Sequence, residues 1–83
     1  MPKVSKLPIQ ERIGLRIKDL RNNSGLTQEG LALQAGLDRT YINSVENGRR
    51  NISAQALHKI SIALEISFRS FFDSDMFDEK GKI

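Results

Sequence analysis

The apolar residues of this 83-residue chain recur at the spacing of helix faces and nowhere alternate as a strand's would. Ile9, Ile13, Ile17 and Leu20 make one stripe and predict a first helix over about residues 8–23. Pro8 suits its first turn, where a missing N–H does no harm. Gly25 ends that helix and Leu26 plugs the gap behind it. Thr27 caps a second helix that starts at Gln28, with Leu31, Ala32 and Ala35 inward, and Gly36 breaks it. Leu37 fills the corner before a third helix over about 39–47, whose inner face is Ile42 and Val45. Beyond the polar loop 48–51, Ile52 turns inward and Ser53 caps a fourth helix over about 54–64, with the stripe Leu57, Ile60, Ala63 and Leu64. Ser67 caps a short fifth helix, about 68–73. Residues 74–83 have no apolar period and are expected to fray. The predicted fold class is all-α, a compact five-helix bundle.

Composition bounds what such a bundle can do. The chain makes one domain, read as 8–73 between a flexible arm (1–7) and an acidic tail (74–83). Residues 1–72 hold 11 of the 13 Lys/Arg but only 6 of the 10 Asp/Glu, so the folded part is more basic than the net charge of +3 suggests. A basic excess fits a polyanion partner without selecting one. There is no cysteine and a single histidine, His58, with no Asp or Glu at i±4. These absences argue against thiolate chemistry, a metal centre and a cofactor. Paired carboxylates and a phosphate-cradling glycine loop are missing too, so no enzyme is expected. Residues 1–7 lack the apolar run of a signal peptide, and no stretch is apolar enough to span a bilayer. A cytoplasmic protein that does not engage membranes is expected.

The stretch 27–47 is the most informative part of the chain. Two helices crossing steeply across a tight turn leave almost no room for a side chain, which suits Ala32. So tight a turn needs positive φ, which suits Gly36, and Asp38 is placed to cap the helix that follows. Any helical hairpin has similar needs. The outward residues Arg39, Thr40, Tyr41, Asn43 and Ser44 separate the readings, because they are donors and acceptors with no acid among them. Arg39 is unfavourable at a helix N-terminus unless a phosphate or base faces it. Asn43 and Ser44 are poor helix formers for an exposed interior. A helix-turn-helix for the DNA major groove follows.

The stretch from Gly25-Leu26-Thr27-Gln28-Glu29 to Glu46-Asn47-Gly48-Arg49-Arg50 resembles the Cro/C1-type (XRE) helix-turn-helix family, whose members include phage repressors and restriction–modification controller proteins. The likeness continues through Ile52-Ser53 to Leu64-Glu65-Ile66-Ser67 and spans about residues 9–72. The run from Leu37 to Ile42 looks most like the controller proteins. Gly30 departs from the family's better helix formers, at about 1 kcal/mol of propensity. The resemblance implies a lambda-repressor-like bundle that binds double-stranded DNA as a homodimer on a pseudo-palindromic operator and so blocks or contacts RNA polymerase. It implies base reading by Arg39, Thr40, Asn43 and Ser44, with Arg39 suited to guanine and Asn43 to adenine. It implies phosphate contacts from Gln28, Tyr41, Asn47, Arg49, Arg50 and Asn51, and a structural ion pair between Arg21 and Glu46. Such a regulator would be bacterial or phage-encoded and act at the nucleoid.

Two positions admit plainer readings. Tyr41 could be half-buried against Ile52 or the loop, and His58 is read as exposed or helix-packing. Phe68, Phe71 and Phe72 cannot all point inward from one short helix, because successive residues differ by about 100°. Exposed aromatic surface marks an interface, so Ile66, Phe68, Phe71 and Phe72 are the expected dimer contact. The alternative function is an antitoxin-type module with autoregulatory DNA binding, for which residues 74–83 are short.

Overall fold

A computed structural model of the chain describes residues 6–78. Those residues form α1 (Ile9–Asn23), α2 (Gln28–Ala35), α3 (Arg39–Glu46), α4 (Ala54–Ala63) and α5 (Phe68–Phe71), followed by one 3₁₀ turn, Asp75–Phe77. Among the described residues there is no strand. Residues 1–5 of the expected arm and 79–83 of the expected tail lie outside them.

Local signals set most boundaries. The Thr27, Ser53 and Ser67 hydroxyls accept hydrogen bonds from the Gly30, Ala56 and Ser70 N–H groups, which fixes where α2, α4 and α5 begin. Asp38 differs from expectation: its backbone has N-cap geometry, but its side chain makes no capping bond. α2 ends in a paired backbone motif, with the Gly36 N–H donating to Leu33 and the Leu37 N–H to Ala32. The same pair closes α1 at Gly25, α3 at Gly48 and α4 at Glu65. Gly36 sits at φ +71°, which makes the turn into α3 tight.

The core is Ile17 of α1, Leu31, Ala32 and Ala35 of α2, Ile42 and Val45 of α3, Leu57 and Ile60 of α4, and Phe71 of α5. α3 is held against both α1 and α2, with α4 behind α2. Gly14 makes the first of these contacts possible, since a Cβ there would lie 2.2 Å from the Val45 carbonyl oxygen. Ile9, expected inward, is 48% exposed, and the stripe is covered only from Ile13 onward.

Three expectations for the C-terminal region need correction. α5 stops at Phe71 rather than near Asp73. Arg16 holds that end, its Nε donating to the Phe71 carbonyl at 2.7 Å and its Nη2 to Ser70 at 2.9 Å. Phe71, expected at the dimer contact, is fully buried in the core. Residues 74–78 are not frayed: Ser74 caps the 3₁₀ turn, Arg12 donates to the Met76 carbonyl, and Phe77 packs against Phe71 and Phe72 with ring centroids at 6.2 and 4.9 Å. An isolated Met-Phe pair has no period to read, yet it closes an aromatic cluster.

Candidate nucleic-acid interface

α3 is strongly amphipathic. Ile42, Val45 and the Glu46 side chain are buried, which turns Arg39 and Thr40 fully outward and leaves Asn43 and Ser44 half-buried beside them. These are the four residues expected to read bases, and the helix gathers them on one side. The loop after α3 adds exposed Arg49, Arg50 and Asn51. Gly48, at φ +72°, turns the chain there, and a Cβ on it would meet the Glu11 Cγ at 2.6 Å.

Behind this face lies a polar chain. Arg21 Nε donates to Glu46 Oε2 at 2.6 Å and Arg21 Nη2 to Oε1 at 3.0 Å, so the expected ion pair is bidentate. Both side chains are nearly inaccessible, at 10% and 1% exposure. The remaining Arg21 nitrogen, Nη1, donates to the Leu26 carbonyl at 2.7 Å, tying α1 to the start of the helix-turn-helix. The hydrogen bonds to Glu46 raise the Arg21 pKa above its already high ordinary value. Burial opposes that rise and charge attraction adds to it. Gln28 Nε2 donates to Glu46 Oε1 at 3.0 Å, and Asn43 Nδ2 donates to Gln28 Oε1 at 3.2 Å.

The other expected phosphate contacts are disposed unequally. Tyr41 is half-buried against the core, with the Arg50 guanidinium 5.0 Å from its ring centroid, a cation–π pair that orients both. Asn47 is exposed but donates through Nδ2 to the Asn43 carbonyl at 2.9 Å, capping α3. The Arg49 backbone N–H closes α3 on Ser44, which leaves its side chain outward.

Sequence reasoning missed Gln10, whose Nε2 donates to the Gly48 carbonyl at 3.0 Å and so anchors the basic loop to the start of α1. It also missed Gly14. A glycine inside a helical pattern is the available signal for close approach, but the position of the neighbouring helix is not written locally. Away from this face, Ile62 is 61%, Phe68 41% and Phe72 38% exposed, and Ile66 is half-buried. His58 is exposed and stands edge-on to Phe68, with ring centroids 5.8 Å apart. Among the described residues no group of His, Asp or Glu is placed to hold a metal, and no helix is long and apolar enough to cross a membrane.

The helix-turn-helix family model matches residues 17–71, most of the described chain. This protein belongs to the helix-turn-helix family. Its Cro/C1-type character is borne out by similarity to controller proteins of restriction–modification systems. The control protein C.MunI of Mycoplasma sp is 46% identical over 65 residues, which cover 77% of this chain and 88% of that relative. The crystal structure of the controller protein C.AhdI from Aeromonas hydrophila is 42% identical, covers 77% of this chain and 97% of its own, and superposes with a TM-score of 0.74. The controller protein C.Esp1396I, solved as a tetramer with its natural 35-base-pair operator, is 37% identical, with coverage of 81% and 88% and a TM-score of 0.76. This helix-turn-helix protein is therefore a DNA-binding regulator of the XRE type, and the bundle described above is that family's fold.

Proposed function

We propose that the protein regulates transcription as a homodimer, inserting α3 of each protomer into successive major grooves of a pseudo-palindromic operator about 34 Å apart. The observation that carries this is the acid-free outward face of α3, Arg39, Thr40, Asn43 and Ser44, flanked by exposed Arg49, Arg50 and Asn51. Base edges are read by the first four. Gln28, Tyr41, Asn47, Arg49, Arg50 and Asn51 position the protein on phosphates, which supply affinity without sequence information. The kinship with restriction–modification controllers favours that role, in the cytoplasm and at the nucleoid, with the bound dimer blocking or contacting RNA polymerase.

Dimerisation uses Ile66, Phe68 and Phe72, joined by Ile62, which the sequence pattern did not single out. Such an exposed apolar patch is stable in water when a second copy covers it. Selection of bound DNA from a random pool tests the whole reading. The expected motif is an inverted repeat whose half-site centres lie about one helical turn apart. Recovery of no motif sinks sequence-specific binding.

A further inference from the structure

The polar chain behind α3 has a direction. Glu46 is a carboxylate held by Arg21 and can only accept hydrogen bonds. Gln28 must therefore turn its NH₂ toward Glu46, which leaves its Oε1 facing Asn43. Asn43 must in turn present its own NH₂ to that oxygen. One Asn43 N–H is thereby used, while Oδ1 and the second N–H remain for a ligand. An unheld amide can rotate by a half-turn and offer donor and acceptor in either order. This chain admits one order only.

We propose that Gln28 and Glu46 are positioning residues that set base preference under Asn43, a buried acid on α3 fixing the polarity of an amide on its reading face. The fixed order, Oδ1 as acceptor beside Nδ2–H as donor, complements the N6–H and N7 of adenine. Gln28 keeps one Nε2–H for a phosphate, so a single side chain couples backbone register to base choice. The inference rests on the DNA-binding reading above and specifies which residues decide discrimination there.

The test uses the full chain and selection from a random DNA pool. Gln28→Met keeps the side chain's shape without its amide, on a half-buried site that is safer to alter than buried Glu46. Asn43→Ala is expected to flatten one base-pair position of the motif. Gln28→Met is expected to flatten that same position by on the order of tenfold, and to change nothing there when Asn43 is already Ala. If Gln28→Met weakens all sequences equally while Asn43→Ala still flattens its position, the relay is wrong and base reading by Asn43 stands. If the unaltered protein selects no motif, the DNA-binding reading has failed instead. A second readout needs no DNA: the Asn43 side-chain N–H that donates to Gln28 should resonate away from its free-amide position in the unaltered protein and move back toward it in Gln28→Met. Unchanged resonances overturn the relay.

Discussion

Gly14 of α1 lies against the Val45 carbonyl of α3 so closely that a methyl group would stand 2.2 Å from that oxygen. The Glu46 carbonyl, at 2.9 Å, closes the other side. Gly14→Ala should therefore destabilise by about 1–3 kcal/mol through overpacking, even though alanine is the better helix former. Urea denaturation checks it. A rise in the midpoint would mean that α1 and α3 are free to separate.

Glu65 presents the opposite case. It occupies the position at the end of α4 that glycines occupy after α1, α2 and α3, with φ +58°. A side chain there costs about 1 kcal/mol in the left-handed region. Glu65→Gly is expected to raise stability by roughly that amount, and Glu65→Ala to leave it nearly unchanged. Equal effects of the two would point to the carboxylate and not the backbone.

Removing the buried acid should be severe. Glu46→Ala leaves the Arg21 guanidinium desolvated and without its carboxylate, a loss of about 3–5 kcal/mol. The Arg21 pKa is raised, so its share of the stability is present below the ordinary arginine value and lost only as pH climbs beyond it. Thermal melts across the neutral range should thus show no transition assignable to Arg21. A melting temperature for Glu46→Ala equal to that of the parent would show that the pair contributes nothing.

Neighbouring phenylalanines should fail in different ways. Phe71→Ala empties a fully buried site and should cost about 3–5 kcal/mol. Phe68→Ser, on the exposed patch, should leave the protomer folded and shift sedimentation from dimer toward monomer. A Phe68→Ser protein that remains dimeric would place the protomer contact elsewhere.

Arg39→Ala is expected to relax preference at one base pair and cost roughly 1–3 kcal/mol of binding. Arg50→Ala should weaken all sequences alike and flatten the salt dependence by about one unit. Titrations at several salt concentrations on matched and mismatched sites separate the two. An unchanged salt slope removes Arg50 from the phosphate contacts.

Helix starts at Thr27, Ser53 and Ser67, the turn at Gly36 and the outward side of α3 were all legible in the chain. Each depends on a residue and its near neighbours: a hydroxyl three positions from an N–H, a positive φ, a 3.6-residue period. What the sequence could not state is which distant group each side chain meets. Phe71 rather than Phe72 fills the core, and Arg16, 55 residues earlier, holds the Phe71 carbonyl. Phe77 joins that core across a break in the pattern. Asn43 and Gln28 were foreseen as separate contacts, yet they share one hydrogen-bonded chain because α2 packs against α3 and brings these two side chains together. Local order is specified by adjacent residues, whereas pairing depends on how helices pack, and packing is a property of the whole chain.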